Sequence, residues 1–420
     1  MKPILFALMF MPAVAMSQTL EECQEAAARN YPLVRQYSLV EKTTQFTLSN
    51  IQKGWLPQIS VSAQASVQSD VVSWPDEMRT MLNQMGLDIR GLKKDQYRIG
   101  IDVSQTLYDG SAIKQQREVA MQQGHVDKAQ IDVGIYGLRK RVNELYFGLL
   151  LLDEKISLNR ELQEVLRVNE ETLGKMFRHG TASESDYHTI VAEHLAAKQV
   201  ADELTSQRSM WKSVLQLLCG ISVDTLVEPA PIETTIESRR PELKLYDEQL
   251  KLLDAQEKLL HANLLPRLNL FASGYYGYPG YNMFKDMVQH RMSLNGTIGL
   301  RLTWNIGAFY TRKNDRSKID LQRDLTVSRR DLFEFDNRIE QAQGRANVDR
   351  YQRMLADDDE IVRLRGSIRK AAASKLAHGI IDIHDFVRDI YNENSASLNR
   401  SIHRIEMLKE LYDLRYTLNN

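Results

Sequence analysis

From Pro57 to Asp70 apolar and polar residues alternate almost without interruption. Ile59, Val61, Ala63, Ala65 and Val67 share one face, and Ser60, Ser62, Gln64, Ser66 and Gln68 share the other. Ile298, Leu300, Leu302, Trp304 and Ile306 alternate in the same way with Thr297, Gly299, Arg301, Thr303 and Asn305. Tyr97-Ile99-Ile101-Val103 and Leu268-Leu270-Ala272 repeat the pattern. Period two predicts strands with one greasy and one wet face, over about 57–70, 96–107, 266–278 and 292–306. Elsewhere the period becomes helical. Leu138, Val142, Leu145, Leu149, Leu152 and Ile156 step by four and three, which is a coiled-coil seam. Proline-free stretches at 111–178 and 311–377 predict long helices, each rising about 100 Å. Return helices are expected at 183–218 and 382–418, the latter with Leu398, Ile402, Ile405, Leu408 and Leu411 on one face.

These elements occur twice in one order. Asn30-Tyr31-Pro32-Leu33 and Arg240-Pro241-Glu242-Leu243 each open a helical stretch, and the stretches end at Leu56-Pro57 and Leu265-Pro266. Gly100, His179, Gly180 and Asp186 recur at Gly299, His378, Gly379 and Asp385, with a common offset of 199 residues. A repeat this long is one structural unit duplicated. The expected organisation is a signal peptide at 1–17, a first repeat at 18–218, a linker at 219–239 and a second repeat at 240–420. A return helix of about 36 residues and a Pro-led helix of about 24 together nearly match one long helix of about 68 in rise. Two short helices end to end beside one long helix would form a wall of even height.

Period-two strands suit either a soluble sheet resting on a core or a membrane barrel with lipid outside and water inside. Three features favour the barrel. The polar faces are Ser, Thr, Asn, Gln and Gly, suited to a wet bore. Tyr275, Tyr276, Tyr278 and Tyr281 gather at one strand end, as an interfacial girdle would. The N-terminus reads as a secretory signal, with Lys2, an apolar run from Ile4 to Ala15 and a cleavage site at Ala15-Met16-Ser17 that leaves Gln18 first. Its roughly 13 apolar residues fall short of the roughly 20 that span a bilayer. Cys23 lacks the small residues expected beside a lipid-attachment cysteine.

Four strands cannot close a barrel, because closed membrane barrels need at least about eight. An open sheet in lipid would leave edge groups costing several kcal/mol each. The chain must therefore oligomerise, and three copies would supply twelve strands. The long segment Ser69–Gln96 and its shorter counterpart Tyr278–Met292 read as extracellular loops.

Several fragments carry a resemblance: Asn30-Tyr31-Pro32-Leu33, Gly54-Trp55-Leu56-Pro57-Gln58-Ile59, Ser104 through Gly110, Gly180 through Asp186, Arg240-Pro241-Glu242, Leu265-Pro266 and Leu302 through Ile306. In their order, duplication and spacing they resemble the TolC family of outer-membrane efflux and secretion channels. The resemblance implies an α+β membrane protein, a homotrimer with a twelve-stranded β-barrel continued by a twelve-helix α-barrel across the periplasm. It places the 219–239 linker in an equatorial region and implies two partners, a periplasmic adaptor and an inner-membrane transporter. It also puts the Gly180 and Gly379 turns at a periplasmic tip, with Asp186, Asp382, Asp385 and Arg388 as candidate gate residues. Asp385 matches an acidic entrance position, whereas Arg388 stands where a second acid is familiar. Carboxylates in a first helical turn also stabilise the helix itself. Ile59, Val61, Val67, Leu300, Leu302 and Trp304 are the candidate lipid-facing residues.

Net charge is −1, so nothing points to nucleic acid. No phosphate loop, Cys-x-x-Cys or nucleophile elbow is present, and His188 and His194 do not share a helix face. No cofactor and no enzymatic activity are expected. Cys23 and Cys219 are expected as two unpaired thiols, although export would permit their oxidation. The leading function is passive efflux of small molecules. A protein-secretion channel and a periplasmic coiled-coil scaffold are the alternatives.

Overall fold

The computed structural model describes residues 18–86, 91–232 and 240–419. The expected signal peptide and linker residues 233–239 lie outside them. The described elements run α1 (Leu20–Asn30), α2 (Val34–Gln52), β1 (Gln58–Val67), α3 (Asp76–Gln84), β2 (Asp95–Tyr108), α4 (Ala112–Arg178) and α5 (Glu184–Cys219). Then follow α6 (Pro241–Ala262), β3 (Arg267–Tyr278), α7 (Met283–Gln289), β4 (Ser293–Thr303), α8 (Ala308–Ala377) and α9 (Ile383–Leu418). The long and return helices match in length. Helices α4 and α8 have 67 and 70 residues, and α5 and α9 have 36 each.

The chain divides into two compact units, one of residues up to Ser38, 128–245 and 328–420, the other of 39–127 and 246–327. The second unit contains the sheet. Its strands pair in the order β1-β2-β3-β4, all antiparallel. A small apolar cluster of Leu92, Tyr278 and Met287 lies among the strand-connecting segments.

In the first unit, α4, α5 and α9 pack around two cores, joined by α1 in one and by the end of α8 in the other. One gathers Leu20, Val142, Tyr146, Phe147, Leu215 and Ile405. The other gathers Leu162, Leu166, Leu173, Ile190, Phe386 and Ile390. The four-and-three seam of α4 is the reason: Leu138, Val142, Leu149, Leu152 and Ile156 are all buried. Polar pairs tie the helices between the apolar layers. Arg208 pairs with Asp153, Arg404 with Glu154 at 3.0 Å, and Arg369 with Glu393.

The opening of α6 explains the Arg240-Pro241-Glu242 motif. Arg240 is only 7 % exposed. Its Nε donates to Glu242 Oε2 at 3.0 Å, and its guanidinium lies over the rings of Tyr136, Phe333 and Tyr416 at 4.7–5.4 Å. A planar, weakly hydrated cation suits this setting as a lysine ammonium would not.

The structure departs from the sequence expectation in three places. Helix α1 was not anticipated, although Thr19 and Glu22 form a reciprocal capping box that is its local signature. The presumed loops contain α3 and α7, with Trp74 packed on Phe284 at 5.5 Å between ring centres. Their apolar residues are too few to show a clear helical period. Finally, Trp304 and Ile306 were expected in the last strand, but β4 ends at Thr303. Thr303 pairs with Arg267, and the next partner would be Pro266, which has no N–H to donate. Trp304 instead donates its indole N–H to the Leu264 carbonyl at 2.9 Å.

Arg240→Ala would strand the largely buried Glu242 carboxylate without its cation. We expect it to lower stability by about 3–5 kcal/mol, read as a lower melting temperature. Arg240→Lys should recover only part of that loss.

Candidate functional site

Two regions hold the sequence-predicted residues, and each belongs to a different unit. In the sheet, strand register decides which side chains share a face. Val61 pairs with Ile101, Ile101 with Gly274 and Gly274 with Gly296. One step along, Ile59, Val103, Ala272 and Ile298 align; in the other direction Ala63, Ile99, Tyr276 and Leu294 do. Leu270 lies opposite Leu300, and Leu268 opposite Leu302. Direct cross-strand partners point to the same side, so all these residues form one apolar face. The opposite face carries the rows Ser60, Asp102, Ser273, Thr297 and Ser62, Gly100, Tyr275, Asn295.

The apolar face is uncovered. Val61 is 68 % exposed and Leu300 64 %, and Ile59, Val67, Leu302 and Ile298 are comparably open. The half-exposed Trp304 lies just beyond the strand, tethered to Leu264 as described. Ile99, Ile101 and Ile298 of the alternating pattern lie on the same exposed face as the lipid-facing candidates, and Leu294 extends it. Their alternation with polar neighbours was the available signal. Strands β1 and β4 form the sheet's two edges, with no partner strand among the described residues on their outer sides. One apolar face, one polar face and two open edges form a surface that is incomplete in water and in lipid alike.

The second region comprises the turns joining α4 to α5 and α8 to α9. Both turns close in the same way. Thr181 N–H donates to the Met176 carbonyl at 2.9 Å and Gly180 N–H to Phe177 at 3.0 Å; Ile380 to Lys375 and Gly379 to Leu376 repeat these bonds at 2.9 and 3.0 Å. This is the Schellman pattern, which requires a left-handed residue after the helix. Gly180 and Gly379 supply it, with φ of 73° and 67°.

The acidic residues beyond each turn begin the next helix. The Ser183 hydroxyl accepts from Asp186 N–H at 3.1 Å, and the Asp186 carboxylate accepts from Ser183 N–H at 3.2 Å. Asp382 caps α9 by accepting from Asp385 N–H at 2.8 Å. Asp385 in turn meets Arg388 at 2.7 Å, and both side chains are open to solvent. Asp186 and Asp382 are thus engaged in caps, while Asp385 is partly neutralised by the cation three residues on. Farther from the turns, the Tyr391 hydroxyl donates to Glu193 Oε2 at 2.7 Å. Burial and the carboxylate together push the Tyr391 phenol above its ordinary range.

Among the described residues, no group of three His, Cys, Asp or Glu side chains could hold a metal ion. No described helix is long and apolar enough to cross a membrane.

No protein-family model matches the chain, and no curated protein matches it. Solved structures do. A membrane protein from Pseudomonas aeruginosa superposes with a TM-score of 0.71 at 15% identity, covering 95% of this chain and 90% of its own. The CmeC outer membrane channel of Campylobacter jejuni gives 0.69 at 13% identity, covering 95% and 85%. The outer membrane protein VceC of Vibrio cholerae gives 0.69 at 12% identity, covering 96% of both chains. Over nearly its whole length, therefore, the chain has the fold of the TolC-like outer-membrane channels.

Proposed function

We propose that the chain is an outer-membrane channel of a Gram-negative cell, extending into the periplasm as a passive conduit for drugs or other small molecules. An inner-membrane transporter would drive export through it by way of a periplasmic adaptor. The observation that carries this reading is the sheet, with its exposed apolar face, its polar face and its two unpaired edges. Three copies joined edge to edge would make a twelve-stranded barrel, with lipid against Val61 and Leu300 and water against Ser60 and Thr297. Closure would pair every edge group that the single chain leaves open.

The long helices support the same assembly. On α8, Leu332, Phe335 and Ile339 are exposed at spacings of three and four, and so are Ile361, Leu364 and Ile368. Such a stripe suits a neighbouring helix in a twelve-helix wall. The fold shared with the CmeC channel and VceC supports an outer-membrane location. In this reading the Gly180 and Gly379 turns form the periplasmic tip, and Asp186, Asp382, Asp385 and Arg388 surround its entrance.

The reading is tested by fractionation and conductance together. The chain should resist salt extraction, remain with the outer membrane, and conduct ions in planar bilayers when the tip is opened. Release by salt, or an oligomer that never conducts, would contradict it. A sharper test compares two adjacent strand positions. Val61→Arg should destabilise the assembled barrel by about 2–4 kcal/mol if the side chain meets lipid at mid-depth, seen as oligomer dissociation at lower temperature. Ser62→Arg should leave assembly intact and change conductance; equal tolerance at both sites would invert the assigned faces. At the tip, Asp385→Asn should reduce cation preference, measured as a shift in reversal potential under a salt gradient. An unchanged potential would confine Asp385 to its pairing with Arg388.

A further inference from the structure

The chain contains two cysteines, one in α1 and the other closing α5. Cys23 and Cys219 lie 196 residues apart in sequence yet meet in one core with Leu20, Tyr146 and Leu215. They are 0 % and 2 % exposed. Both are free thiols in the structure, and Cys219 Sγ lies 3.4 Å from the Cys23 carbonyl, to which it donates.

The backbones on either side are held together independently of sulfur. The Asn30 side-chain amide donates to the carbonyls of Leu217 and Leu218, each at 3.1 Å. Gln18 N–H donates to Thr225 at 2.9 Å, Val227 N–H returns to Gln18 at 3.2 Å, and the Tyr146 hydroxyl reaches the Gln18 carbonyl at 2.8 Å. At Gly220, φ is 69°, and a Cβ there would fall 2.6 Å from the Asn30 side chain. The end of α5 and the segment after it are therefore tied to the two ends of α1, which holds the two cysteines together in one core.

We propose that Cys23 and Cys219 form an intramolecular disulfide that clasps α1 to the end of α5. The inference rests on the export reading above, because cytosolic thiols are kept reduced. The oxidant is a protein disulfide of the export compartment, acting by exchange before α1 docks and buries the pair. The Cys219 thiolate attacks one sulfur of the oxidant and expels the other as a thiolate. Cys23, having lost its proton to solvent, attacks the Cys219 sulfur of the mixed disulfide and releases the second oxidant thiolate. The pair loses two electrons and two protons, and the oxidant disulfide becomes two thiols. Closing so long a loop restricts the unfolded chain strongly. Once docked, the bond is shielded from reductants.

The test uses the full chain with its leader. The envelope is isolated with an alkylating agent present, and the chain is denatured and digested without reductant. A linked Cys23–Cys219 peptide pair is expected, with neither cysteine alkylated until reductant is added. Two alkylated cysteines in the unreduced envelope sample would overturn the proposal, as would a reducible dimer linked between chains. A second arm treats the purified, fully reduced chain with diamide just below its melting temperature. Both alkylatable thiols should be lost as the linked peptide appears, wherever the cell places the chain. Recovery of the chain from the cytosol would fail the export reading alone. The diamide arm would then decide the pairing, and persistent thiols would overturn it.

Discussion

The strongest constraint on this chain is a four-stranded sheet whose two edges find no partner strand among the described residues. Four strands leave a row of backbone N–H and C=O groups open along β1 and another along β4. In water the exposed apolar face of Val61, Ile101, Leu300 and Leu302 opposes solvation; in lipid each open edge group costs several kcal/mol. Only closure against further strands removes both penalties. Copies of the same chain are the proposed source, since among the described residues the sheet already uses every strand. In the proposed trimer, closure would be the condition under which the sheet is stable, rather than a later addition to a finished fold.

The helices answer a different demand. Their cores are thin layers between long elements, with Val142, Tyr146 and Ile405 in one and Leu166, Ile190 and Phe386 in the other. Pairs such as Arg404 with Glu154 and Asn347 with Glu410 stitch the intervals. The exposed residues Leu332, Phe335 and Ile339 on α8 form a stripe that a neighbouring helix of the proposed twelve-helix wall would cover. The buried Arg240, set against three aromatic rings and paired with Glu242, fixes the entry to α6.

The features legible from sequence were those with a long, uniform period. Ten alternating residues in β1 define a face regardless of tertiary context, and the α4 seam identifies its buried side from Leu138 to Ile156. The Gly180 and Gly379 turns could be read because a Schellman close needs a left-handed residue. Short elements were opaque. Helices α3 and α7 have nine and seven residues, less than three turns, so no period develops. The end of β4 was misjudged because alternation continues through Trp304 and Ile306, while the partner strand stops at Pro266. The engagement of Asp385 by Arg388 depends on rotamers that spacing alone does not determine.

The central claim is that edges are completed by identical chains, and the mass of the native complex tests it most directly. Native mass spectrometry of the detergent-solubilised protein should show three chains, the number that gives twelve strands. A stable folded monomer in detergent, with β1 and β4 unpaired and the apolar face intact, would contradict the account.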